Sequence, residues 1–246
     1  MTAGTGYRRR ILIEPQADRV TAELEDDYHR MVVTLRHDAG VVQEVQCAMK
    51  RAPWTSCPGA MEQLRATFTG VALADVARRG EKLQNCTHLH DLTLFAAAHA
   101  KGTAPVAYDV FVTDLAEGRR RAMLRRDGAL LLDWSLEGDE FLAPADLEGL
   151  RLRDLGPWIA AQDAALAEAG RILRWAAILA HGREIVIPAG LSATAFPSGS
   201  CYTFQPERAR DATRLEGADI DFSLPGAEPM QDRADAFPAV PAGKAG

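Results

Sequence analysis

From Cys86 to Asp91 the chain places a thiol, two imidazoles and a carboxylate in six consecutive residues (Cys86-Thr87-His88-Leu89-His90-Asp91), just before the apolar run Leu92 to Ala98. Such groups move protons or bind metals. Thr87 is a favourable N-cap, so the spacing predicts a helix from about Thr87 to Ala100 with Asp91 in its first turn, stopped by Lys101-Gly102. The unpaired N–H groups at such a helix start favour anions and lower a thiol's pKa. His88 or His90 then reads as a general base or hydrogen-bond donor. As an alternative, Cys86, His88 and His90 form a zinc set if Cys57 or an acidic residue completes a tetrahedron, although Cys-x-x-Cys is missing and no His lies three to five residues beyond His90. A third reading leaves His90 and Asp91 as helix caps.

Three further stretches supply partners. Glu25-Asp26-Asp27-Tyr28-His29 falls in a predicted turn between strands, where adjacent carboxylates repel one another and can raise a carboxyl's basicity or hold a cation. Its alternative is a solvated turn. If the sheet carries His29 beside the helix start, His29 shares a pocket with His88 or His90. In Arg51-Ala52-Pro53-Trp54-Thr55-Ser56-Cys57-Pro58, a cation, an aromatic wall and a thiol precede a helix that Pro58 opens. Those groups suit a flat, partly anionic organic molecule, and the alternative makes Trp54 a core anchor and Cys57 a small buried filler. Late in the chain, Phe196 to Pro206 carries aromatics, turn residues and one thiol, and is expected to fold back as a lid with Cys201 and Tyr202 pointing inward.

The elements that must position these groups read as α+β: antiparallel sheet packed against a few helices, with one long helix in the C-terminal half. Strand patterns run through Arg10–Ile13, Val20–Leu24, Met31–Leu35 and Val41–Val45, with a hairpin turn at Asp38-Ala39-Gly40. Residues 59–79 read as two short helical pieces. Ala107–Thr113, Arg119–Arg126 and Ala129–Trp134 form a second strand group that either extends the first sheet or makes its own, turning at Arg126-Asp127-Gly128. Trp158 to His181 has the strongest helical period, with Ile159, Leu166, Ile172, Leu173, Ala176 and Leu179 on its apolar face. The expected organisation is a disordered N-terminus over 1–7, a single domain over 8–210, and a mostly irregular or disordered tail over 211–246.

A net charge of -6 in 246 residues argues against a surface built for nucleic acid, and no apolar run reaches bilayer length. No secretory leader pattern opens the chain, so a cytoplasmic protein with four reduced cysteines is expected, and homo-oligomer formation stays open. P-loop, dinucleotide and hydrolase-elbow motifs are missing, which disfavours nucleotide cofactors.

Taken in order, Glu-Asp-Asp-x-His at 25–29, Arg-x-Pro-Trp-Thr-x-Cys-Pro-Gly-Ala at 51–60, Cys-Thr-His-Leu-x-Asp-Leu at 86–92 and Ser-Gly-x-Cys-Tyr-x-Phe-Gln-Pro at 198–206 resemble a bacterial family catalogued as a domain of unknown function. Its members are met in bacteria that degrade aromatic compounds and steroids. The resemblance implies a cofactor-independent lyase that removes formaldehyde from lignin-derived phenolic dimers of the phenylcoumaran type. On that reading His88 or His90, with Asp26, Asp27 or His29, transfers protons. Arg51 faces a phenolate, Trp54 and Tyr202 form aromatic walls, and Cys57, Cys86 and Cys201 line the substrate site. The rival readings are a metal-dependent hydrolase or isomerase and a non-catalytic binder of hydrophobic metabolites.

Overall fold

Two glycine turns set the sheet. In the computed structural model, which describes residues 4–237, Ala39-Gly40 has φ of 46° and 78° and Asp127-Gly128 has φ of 50° and 83°. Paired positive φ values match the twist of two-residue hairpins, and only glycine adopts the second position without strain. The first turn joins β3 (Arg30–Asp38) to β4 (Val41–Arg51), and the second joins β6 (Arg119–Arg126) to β7 (Ala129–Glu137). With β1 (Gly6–Pro15), β2 (Arg19–Asp26), β5 (Val106–Thr113) and β8 (Glu140–Ala143), they form one eight-stranded sheet in the order β4-β3-β2-β1-β5-β6-β7-β8. The second strand group therefore extends the first sheet. The pairs β2–β3, β3–β4, β5–β6, β6–β7 and β7–β8 are all antiparallel, and the fold is α+β.

Contacts divide the described chain into two compact units, in place of the single domain expected over 8–210. One unit comprises Ile11–Val106 and Ile187–Ile220. In it, β3 alternates strictly, with Met31, Val33 and Leu35 buried, so one face of the sheet is apolar. Helix α2 (Thr87–His99) packs on β2 and β3, flanked by α1 (Ala60–Phe68). Because α2 is covered nearly all round, from Thr87 to Ala96, even its polar residues are buried. The second helical piece expected before residue 79 is a short 3-10 segment, Leu73–Arg78.

The other unit holds the residues up to Arg10, Ala107–Val186 and the chain from Asp221 onward. The predicted helix over 158–181 is broken in two: α3 (Gly156–Ala160) and α4 (Ala164–Ala180), the latter running on into a 3-10 turn through Glu184. The cause is Asp163, whose carboxylate accepts from the Leu166 N–H at 2.9 Å and so starts a new helix inside the apolar period. Gly170 permits the fold-back, since a Cβ there would sit 3.2 Å from both Ile159 and Trp158. Helix α4 packs on β6 and β7, over a core centred on Trp134 and Phe141.

Both expected disordered ends carry structure where they are described. Tyr7 lies fully buried in β1, and the chain beyond 211, though irregular, is packed: Met230 is buried and Arg10 donates to the Pro229 carbonyl at 3.1 Å. Apolar contacts are enough to hold such a segment without regular hydrogen bonding. Residues 1–3 and 238–246 of those expected ends lie outside the described residues. Among the described residues no helix is long and apolar enough to cross a membrane.

Candidate active site

The turn after β2 is the part of the site most tightly specified by sequence. Asp26 ends the strand, and its Oδ1 accepts from the backbone N–H of Tyr28 (2.8 Å) and of His29 (2.8 Å). The His29 ring approaches the same oxygen through Nδ1 at 3.1 Å. A carboxylate only accepts, so Nδ1 carries the proton and Nε2 is left as a lone pair. Asp26 is fully buried, and Glu25, Asp27 and His29 are nearly so, which removes the solvated-turn alternative.

Helix α2 delivers the second imidazole. His88 lies in its first turn, and its ring stacks on His29 with centroids 3.9 Å apart and planes 30° apart. Asp26, His29 and His88 thereby form a buried group whose ligand-type atoms all lie within 4.8 Å of one another. The group also has the donor types of a two-histidine, one-carboxylate metal centre. The stack argues against that use. A metal must lie in the plane of each ring it binds, and two rings stacked nearly face to face cannot both aim at one ion until one rotates.

His90 is not part of this group. Two residues along a helix is about 200° of rotation, so it faces away from His88, against the Phe68 ring at 5.2 Å. The zinc set Cys86, His88 and His90 is accordingly not assembled. His90 is 2% exposed, and neither of its ring nitrogens meets a partner in good hydrogen-bond geometry. Burial pulls its pKa below the ordinary imidazole value. The helix start differs from expectation too. Cys86 takes the N-cap position in place of Thr87, and Asp91 falls past the first turn, where it pairs with Lys82 at 2.7 Å. Burial also raises the Cys86 thiol's pKa, overriding the helix dipole, and its sulfur sits 3.9 Å from that of Met31.

Arg51 is committed to the backbone and does not offer a free cation to a phenolate. Its guanidinium donates to the carbonyls of Asp26, Asp27 (2.8 Å), His29 (3.3 Å) and Ala218 (3.0 Å), with Glu25 at 3.4 Å. Trp54 anchors a small core of its own, with Phe196 and Phe204 edge-to-face at 5.3 and 5.4 Å and Cys57 beside it. The late segment does fold back, but Thr203 is its most deeply buried residue, at 1% exposure, and bridges Ser56 and Cys57. Cys201 and Tyr202 are half-buried, and the Tyr202 ring lies under Arg208 at 4.0 Å. Burial likewise lifts Cys57 to about 11 and raises Cys201.

One participant had no sequence signal. Residues 213–220 run beside Pro53 and Thr55 (Thr55 N–H to the Thr213 carbonyl, 3.0 Å; Leu215 N–H to the Pro53 carbonyl, 2.9 Å). The segment then reaches the acid turn, where the Ile220 N–H donates to the Asp27 carbonyl at 2.8 Å. Only backbone groups and Arg214, which sits 5.7 Å over Trp54, make these contacts, so composition could not reveal them.

Residues 13–101 match a family model described as a protein of unknown function, DUF2889. The DUF2889 stretch includes Asp26, His29, Arg51, Trp54 and His88, and stops short of the segment at 213–220. No curated protein matches the chain.

Proposed function

We propose that the chain is a cofactor-independent carbon–carbon lyase that releases formaldehyde from a phenolic aromatic dimer of the phenylcoumaran type, with Asp26, His29 and His88 as its proton-transfer group. The supporting observation is the buried Asp26–His29 pair stacked on His88. The aromatic substrate class comes from the motif resemblance, and the reaction it implies needs the kind of group this geometry supplies.

The reaction is redox-neutral and consists of proton transfers. One imidazole removes the phenol proton. The benzylic C–O bond then breaks, giving a quinone methide, and the departing aryloxide takes up that same proton from the histidine pair. A base next removes the proton of the neighbouring hydroxymethyl group. The C–C bond to that carbon breaks, its electrons form the new C=C bond and restore the aromatic ring, and the phenolate is reprotonated. The products are a stilbene and formaldehyde, with no electrons left over. Two adjacent groups that exchange one proton fit this sequence, because the base of one step is the acid of the next. Asp26 holds His29 in the tautomer that leaves Nε2 free and stabilises its cation, as the third group of a nucleophile-base-carboxylate triad does.

The test is formaldehyde trapping, with stilbene absorbance followed in parallel, on a panel of phenolic dimers. His29→Gln and His88→Gln are each expected to lower the rate about 10²–10⁴-fold, the usual worth of a positioned acid or base. A wild-type protein that releases no formaldehyde from any member of the panel overturns the proposal. Stoichiometric metal in purified protein that disappears in His88→Ala replaces it with the metal-dependent reading.

A further inference from the structure

We infer that Arg51 is the positioning residue of the acid–base pair, and that through it the segment 214–220 governs how His29 is held. This deepens the proton-transfer reading of the Asp26–His29–His88 group and rests on it.

The turn at 26–29 is organised around two centres. On one side the Asp26 carboxylate gathers the N–H groups of Tyr28 and His29 and the His29 ring. On the other side the Arg51 guanidinium gathers the carbonyls of Asp26, Asp27 and His29. The two sets meet in one peptide plane, whose Asp27 carbonyl accepts from Arg51 and whose Tyr28 N–H donates to Asp26. Rotating that plane breaks a bond at each centre, and the Arg51 bonds to the Asp26 and His29 carbonyls hold the peptides on either side, so Arg51 and Asp26 together fix the backbone that carries the His29 ring. Position 51 can do this because a register irregularity in β3–β4 pairing lies between Arg30 and Met31, where Arg30 is opposite Arg51. Such a bulge re-aims a side chain. A guanidinium is required rather than an ammonium, since its planar fork reaches several acceptors at fixed angles.

Ala218 makes the arrangement more than local. Its carbonyl shares the Nη1 atom of Arg51 with the Asp27 carbonyl, and the Ile220 N–H closes on that same Asp27 oxygen. Arg214 is buried and pairs with Asp219, which stiffens the stretch between them. Segment 214–220 is thus held at both ends of its approach to the turn, and unseating it removes one bond to the Asp27 carbonyl, from Ile220, and one acceptor that fixes the Arg51 guanidinium beside it. Arg51 touches no reacting group in this scheme and acts only through His29.

The test reads the histidine directly. Long-range ¹H–¹⁵N spectra of the imidazoles are recorded for the wild type, Arg51→Lys and Ile220→Pro. The last removes the N–H that donates to Asp27 at a half-exposed residue, leaving Arg51 in place. Wild type is expected to show His29 as the Nδ1–H tautomer with a slowly exchanging ring proton. Both variants are expected to lose that slow proton and the single Nδ1–H tautomer of His29, while backbone resonances of β5–β8 and α4 stay in place. Wild-type His29 signals in both variants overturn the inference. So does loss of the His29 signature in Arg51→Lys without loss in Ile220→Pro, since the segment would then play no part. A lost His29 signature combined with formaldehyde-free wild-type protein upholds the positioning role and refutes the lyase. Formaldehyde release with an unmoved His29 does the reverse.

Discussion

Replacing His90 by leucine is expected to make the protein more stable, and more so in acid. The imidazole is 2% exposed, rests on Phe68, and leaves both ring nitrogens without a partner in good geometry. A buried polar group lacking its hydrogen bond costs about 1–3 kcal/mol. Leucine is close to histidine in volume and a better helix former, so removing the polar atoms should recover about 1–2 kcal/mol at pH 7. For a chain of this size each kcal/mol raises the melting midpoint by roughly 2–4 °C. The sign of the pH dependence follows from the lowered pKa, whose first cause is burial. Below the unfolded value near 6.5 the unfolded chain takes up a proton that the folded state resists, so the wild type loses stability as pH falls from 6.5 toward the folded value. Each pH unit inside that window contributes at most about 1.4 kcal/mol. The leucine variant lacks this loss, and its advantage should therefore widen between pH 7.5 and 5. Urea denaturation of both proteins across that range measures the difference and cancels the other histidines. A variant destabilised by more than about 1 kcal/mol at pH 7, or a difference flat in pH, would mean that the nearby Arg79 backbone or Asp91 carboxylate satisfies His90, and the reasoning fails.

Asp26→Asn keeps an acceptor oxygen for the two backbone N–H groups but removes the charge opposite His29, so folding should survive while formaldehyde release drops about 10²-fold or more in steady-state assays. Cys57, with its pKa raised to about 11, should alkylate roughly a hundredfold more slowly at pH 8 than a thiol at the ordinary value of 9.0; peptide mass spectrometry after timed iodoacetamide exposure checks this. Tyr108→Phe removes a buried 2.6 Å hydrogen bond to Glu168 under α4 and should lower stability by about 1–3 kcal/mol in denaturant titration, with no change in formaldehyde release.

The sheet was legible because its signals are local. Alternation in Met31 to Leu35 and glycine at positions 40 and 128 need no knowledge of the rest of the chain. The convergence of His29 with His88 followed from residue type plus the expectation of a helix over a meander. What could not be read was direction. A density of chemical groups from Cys86 to Asp91 does not say which way each side chain points, and helical rotation sends His88 to the acid turn and His90 to Phe68. Arg51 was misread for a related reason: a cation beside an aromatic and a thiol suggests an anionic ligand, whereas its partners are carbonyls that every residue possesses. The break at Asp163 is in the sequence as a capping aspartate, overruled in the reading by a periodic pattern on either side.

The contact between Arg51 and Ala218 spans 167 residues of chain, with the Ala107–Val186 part of the second unit encoded in between. During synthesis at roughly 5–20 residues per second, the histidine turn leaves the ribosome some ten to thirty seconds before the stretch that seats against it exists. For that interval Trp54 lacks Phe196, Phe204 and Arg214, and its apolar surface is open to solvent or to chaperones. The histidine turn is therefore completed only late in translation, and a ribosome stalled between residues 106 and 187 would display strands β1–β4 and helix α2 with that turn still lacking Ala218 and Ile220.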